Sequence, residues 1–110
     1  MKSDIHQLTD EIVQFRDKRD WKQFHNPKDL ALAISIEASE LNELFLWKNH
    51  NDYNHTRLGE ELADVLIYSF LLAHETNLDV IKIINSKIMK NRRRYPVKKS
   101  KGSSKKYNEA

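Results

Sequence analysis

Ile5, Leu8, Ile12 and Phe15 recur at spacings of three and four, and this period predicts a first helix from about Asp4 to Arg19. A polar and aromatic segment, Asp20 to His25, follows. The second predicted helix opens at Asn26-Pro27-Lys28-Asp29: Asn26 suits the cap, Pro27 the first helical position, and Asp29 faces the positive end of the helix dipole. It runs to about Trp47 or Lys48. Asn49 to Thr56 reads as a polar loop, and a third helix spans about Arg57 to Glu75. After a turn at Thr76 and Asn77, a fourth runs from about Asp79 to Arg93, with Val80, Ile83, Ile84 and Ile88 on one face. Tyr95-Pro96 ends it, because the proline ring disfavours helix in the residue before. With two glycines, two prolines and no alternating strand pattern, the predicted class is all-α, with four helices.

From Val65 to Ala73 the third helix is apolar on nearly every side, more than one chain of 110 residues covers easily. Such a helix is central or shared, so the expected assembly is a homodimer or a homotetramer built as a dimer of dimers. Residues 98–106 lack apolar anchors. The expected organisation is therefore a helical domain over residues 1–97 and a basic, flexible tail over 98–110.

Charge sharpens that division. Residues 1–86 carry 9 Lys and Arg against 15 Asp and Glu, whereas residues 87–110 carry 10 against 1, so a body at −6 precedes a tail at +9. A basic tail is a solvated segment, a nucleic-acid contact, or a strap that folds back over an acidic body to meet an anionic substrate. The absence of cysteine rules out disulfides and thiolate chemistry and fits a reducing cytoplasm. Neither a secretory signal nor a run of about 18 apolar residues stands out, so the reading is a soluble cytoplasmic protein with no membrane partner.

The most informative polar residues interrupt apolar stretches. Glu37 and Glu40, then Glu61 and Asp64, form two couplets at a spacing of three, and each couplet points both carboxylates to one helix face. Solvated helix faces also carry this spacing, and from the pattern alone a metal site and a solvated face stand level. Apolar neighbours such as Ile36, Leu41, Leu62 and Val65 weigh against a plain solvated stripe. Four carboxylates gathered beside a core need protons or a cation, and an all-oxygen set suits Mg²⁺ or, as a substitute, Mn²⁺. Metal-assisted phosphate hydrolysis is the chemistry such a set serves most often. No Gly-rich phosphate loop is present, and the five histidines lack zinc-ligand spacing.

The segment Arg19-Asp20-Trp21-Lys22-Gln23-Phe24-His25-Asn26-Pro27, the two couplets separated by 20 residues, Leu44-Phe45-Leu46-Trp47, and Asn91-Arg92-Arg93-Arg94-Tyr95-Pro96-Val97 with Lys101 to Tyr107 beyond it share one resemblance. The chain resembles the MazG-like all-α nucleotide pyrophosphohydrolases, most closely their dCTP pyrophosphatase branch. That resemblance implies Glu37, Glu40, Glu61 and Asp64 as Mg²⁺ ligands and catalytic residues, and a nucleoside triphosphate, dCTP or a related pyrimidine deoxynucleotide, cleaved to monophosphate and diphosphate. It also implies a dimer whose sites draw on both chains.

On the same resemblance Trp21 and Trp47 line the base pocket, His25 sits at its rim, Tyr68 meets sugar or phosphate one turn beyond Asp64, Lys87 and Asn91 contact phosphate, and Arg94 and Tyr95, which follow them, bind substrate. Read without it, both tryptophans are core residues and the basic helix end only complements the dipole. Glu43 and Glu60 read as solvated neighbours of the couplets. Ile12 stands where the vertebrate branch is expected to place a base-contacting histidine, which leaves the base preference open. The competing readings are a non-enzymatic helical adaptor that binds nucleic acid through its tail, disfavoured here, and a metal-free interaction protein.

Overall fold

The computed structural model describes residues 2–106, and among them it is all-α with no strand. Four long helices, α1 (Asp4–Asp17), α2 (Pro27–Glu43), α3 (His55–Glu75) and α4 (Val80–Arg94), are joined by a 3₁₀ turn at Lys22–Phe24 and followed by a single helical turn, α5 (Val97–Ser100). Tyr107, the last residue of the C-terminal motif, lies outside the described residues. So do residues 108–110 of the expected tail.

Every long helix starts on a side chain that accepts a backbone N–H. Ser3 accepts from His6 at 3.1 Å, Asn26 from Asp29 at 2.9 Å, Asn54 from Arg57 at 3.0 Å and Asp79 from Lys82 at 3.0 Å. Each satisfies one of the donors that a helix start leaves unpaired. The predicted elements are present, with shifted ends. The first helix stops at Asp17 rather than Arg19, and Asp20 takes a positive φ of 54°. The third begins two residues early because Asn54 caps it.

The largest shift is at α2, which ends at Glu43 and not at Trp47 or Lys48. Beyond it the backbone tightens: Phe45 donates to the Asn42 carbonyl at 3.1 Å and Leu46 to that of Glu43 at 3.2 Å. Trp47 then takes a left-handed φ of 63°. A left-handed tryptophan is uncommon, and nothing in local propensity announces it. The end of α3 is closed by Asn77 at φ 58°, with Leu78 donating to the Ala73 carbonyl at 2.9 Å and Asn77 to that of His74 at 3.2 Å. This is the paired pattern of a left-handed C-terminal cap.

The chain divides into two compact units at Leu78 and Asp79. In the first, α3 receives both α1 and α2, with α2 making the larger contact. Its buried apolar residues are Leu30, Leu44, Leu71 and Ala73. Leu32 and Ile36 on α2, and Leu62, Leu66 and Ile67 on α3, remain exposed, so the apolar third helix is central to its unit and still incompletely covered. The second unit is α4 with α5; Ile83, Ile84, Ile88 and Met89 are exposed along α4. Among the described residues no helix is long and apolar enough to cross a membrane.

Candidate active site

The face of α2 that carries Glu37 and Glu40 meets the face of α3 that carries Glu61 and Asp64. Glu37, Glu61 and Asp64 each offer one carboxylate oxygen, and these three oxygens lie within 4.8 Å of one another. Oε2 of Glu37 and Oε2 of Glu61 are buried without a hydrogen-bond partner. Glu40 faces both glutamates closely enough to accept a hydrogen bond from either when that one is protonated.

Electrostatics follow from the crowding. Burial, then Glu40, and then the charges of Asp64 and Glu61 push the Glu37 carboxyl up from 4.5 to about 7. Burial and Glu40 likewise raise Glu61. Like charges at this separation, with two oxygens lacking any donor, form a set that protons or a hard divalent cation would neutralise. The donor set is all-oxygen and therefore fits Mg²⁺ or Mn²⁺ better than a thiophilic metal.

Asp64 also lines a cavity of about 220 Å³ within the first unit. Phe15, Trp21, His25 and Tyr68 supply its aromatic wall, and Ile12, Ile67 and Leu71 its aliphatic one. His25 and Tyr68 meet edge to face with ring centroids 6.4 Å apart, and Phe15 meets Trp21 at 5.9 Å. Nδ1 of His25 is buried without a hydrogen-bond partner, and burial followed by the neighbouring Arg16 holds its imidazole below the ordinary pKa. For Tyr68, burial and the Glu37, Asp64 and Glu40 charges raise the phenol, so at neutral pH it remains an O–H donor.

Thus Trp21, His25, Tyr68 and Asp64 converge on one cavity, with Glu37, Glu40 and Glu61 beside it. Trp47 is not among the lining residues and is 100% exposed. Lys87, Asn91, Arg94 and Tyr95 belong to the second unit. There Lys87 lines an open groove of about 350 Å³ with Lys82, Ile83, Ser86 and Lys90, and the Asn91 carbonyl accepts from the Tyr95 N–H at 2.7 Å. Glu43 and Glu60 are exposed on the couplet helices, as the pattern suggested.

A family model described as the MazG-like family matches residues 32–109, which include both couplets. The chain belongs to the MazG-like family. Among curated relatives, dCTP pyrophosphatase 1 of Mus musculus is 43% identical over 103 residues, covering 86% of this chain and 61% of the relative. That of Homo sapiens is 42% identical over 105 residues, 88% of this chain and 62% of the relative. The chain thus spans about 61% of the length of the curated relatives it matches. A crystal structure of a pyrophosphatase from Archaeoglobus fulgidus superposes with a TM-score of 0.81 at 37% identity, over 87% of this chain and 95% of that one.

One participant escaped the sequence reading. Arg16, on the face of α1 that carries Ile12 and Phe15, lines the cavity and is only 2% exposed. Its guanidinium pairs with Glu75, 59 residues away, and with the adjacent Asp17 at 3.0 Å. An arginine next to an apolar stripe is ordinarily a solvated neighbour, and no spacing rule links it to Glu75.

Proposed function

We propose that this chain is a divalent-metal-dependent nucleoside triphosphate pyrophosphohydrolase that cleaves dCTP or a related pyrimidine deoxynucleotide to the monophosphate and diphosphate. The observation that carries the reading is the carboxylate cluster with its two unpartnered oxygens, opening through Asp64 onto a cavity of heterocycle size. The kinship with dCTP pyrophosphatase 1 supports the same substrate class.

Glu37, Glu40, Glu61 and Asp64 hold the cation in this reading, Mg²⁺ or alternatively Mn²⁺. When bound, it supplies positive charge against the polyphosphate and steadies the departing diphosphate. The chain's own groups do the rest. The Glu37 and Glu61 carboxylates accept hydrogen bonds from a water, and one of them takes its proton as the water oxygen bonds to phosphorus and the phosphorus–oxygen bond to the leaving group breaks. Trp21 and Tyr68 flank the base, and the Tyr68 hydroxyl and His25 donate or accept at sugar or base. Lys87 and Asn91 are assigned to the phosphates and Arg94 and Tyr95 to the substrate, and the positive charge of the basic tail after Val97 offsets the charge that the acidic body would otherwise repel.

The exposed apolar residues of α2 and α3 support a homodimer or homotetramer in which those surfaces are covered. The absence of cysteine accords with a cytoplasmic setting. A release assay for diphosphate, run over a panel of nucleoside triphosphates with and without Mg²⁺, tests the proposal. Glu40→Ala and Asp64→Ala are each expected to lower turnover at least about 100-fold while the helical circular dichroism is kept. Full activity in either variant would overturn the ligand assignment.

A further inference from the structure

The mechanism above leaves one polar group of the cavity unused. Arg16 is the charged residue buried most deeply among the described residues, and it sits in the wall of the same cavity as Asp64. It is clamped from behind: Nε donates to Oδ1 of Asp17 at 3.0 Å, Nη2 lies 3.0 Å from the same oxygen, and Nη1 donates to Oε1 of Glu75.

Two carboxylates against one guanidinium leave the trio net negative, so a phosphate gains no attraction there. A neutral acceptor does. Each terminal nitrogen of a guanidinium carries two hydrogens in a rigid fork, and each here gives one contact to a carboxylate. The cavity's 220 Å³ is also below the roughly 300–1,000 Å³ of pockets that enclose a whole drug-sized ligand, so it takes a single ring rather than a nucleotide.

We propose that Arg16 is a specificity-determining residue that reads the substrate base, its guanidinium donating to the C2 carbonyl oxygen that pyrimidine rings share. The inference rests on the nucleotide hydrolysis proposed above. Adenine bears no carbonyl to meet this buried donor. Losing one hydrogen bond to a charged group corresponds to roughly tenfold to 100-fold in kcat/KM.

The test compares kcat/KM for dCTP and for 2-thio-dCTP, in which sulfur, a weak acceptor, replaces the C2 oxygen. The wild-type chain is expected to prefer dCTP by at least about tenfold. In the double variant R16M/E75Q, which leaves no buried carboxylate facing a missing cation, that preference is expected to fall to about twofold or less. A merely structural role for Arg16 would slow both substrates alike and leave their ratio unchanged. A wild-type ratio near unity needs no variant to read and overturns the proposal, as does a ratio that survives in R16M/E75Q; nucleotide hydrolysis stands in both cases. Absence of diphosphate release from any nucleotide by the wild-type chain overturns the hydrolytic reading and this inference with it.

Discussion

Glu37 is the residue at which repulsion, burial and chemistry meet. With its carboxyl raised from 4.5 to about 7, the folded chain binds a proton there more tightly than the unfolded chain does. Between those values the folded state carries more protons, so stability falls as pH rises through the interval. His25 acts in the opposite sense: its lowered pKa means the unfolded chain protonates first, and its contribution is lost as pH falls below the ordinary histidine value of 6.5. In chelator, the thermal midpoint is therefore expected to drop from about pH 5 to about pH 7, and Glu37→Gln is expected to flatten that slope while leaving the histidine limb. On the proposed metal site, Mg²⁺ would replace the proton, so its stabilising increment is expected to grow over the same interval. At Arg16, removing one partner of a buried pair is costly because a charge is left behind. Glu75→Ala is expected to lower unfolding free energy by about 3 kcal/mol in urea titration, with Asp17 retaining part of the compensation.

At the scale of elements, the polar and apolar pattern carried most of the architecture. Four helices were legible, as were the Asn26 cap, the stop before Pro96 and the two acidic faces, because each depends on residues a few positions apart. The ends of α1 and α2 were not: beyond Asp17 and Glu43 the caps Lys18 and Leu44 stay right-handed, the chain turns left-handed only at Asp20 and Trp47, and for a tryptophan local propensity gives no sign of it. The cavity was legible only in its aromatic members, whereas Arg16 depends on a partner on another helix. Trp47 offers a test at this scale. A bulky residue held at φ 63° stores backbone strain, of the kind that persists where a side chain is needed for function. Trp47→Gly relieves it, offset by glycine's greater freedom in the unfolded chain. Thermal unfolding is expected to show stability unchanged or raised by up to about 1 kcal/mol. Turnover of the preferred nucleotide is expected to fall at least about tenfold, an outcome that a packing role would reverse.

Across the whole molecule, opposite charges are segregated along the chain: −6 before residue 87 and +9 from there on. On the proposed hydrolysis of a polyanion, an acidic body needs positive charge from elsewhere, and the C-terminal residues carry it. Truncation after Val97 is expected to raise KM for the triphosphate about tenfold at low salt, to reduce kcat less, and to blunt the dependence of kcat/KM on ionic strength. Unchanged kinetics would assign the tail to another polyanion. In that case binding of single-stranded nucleic acid that weakens steeply with salt would be its signature.

The mutual repulsion of the Glu37, Glu61 and Asp64 oxygens has a consequence for the protein's persistence as well as its chemistry. On the proposed metal site, ion occupancy and chain opening are linked through mass action, so scarcity of divalent cations would expose backbone to proteases more often and shorten the half-life of the chain. At that proposed site, supply of the ion would then govern both how fast each copy works and how many copies endure.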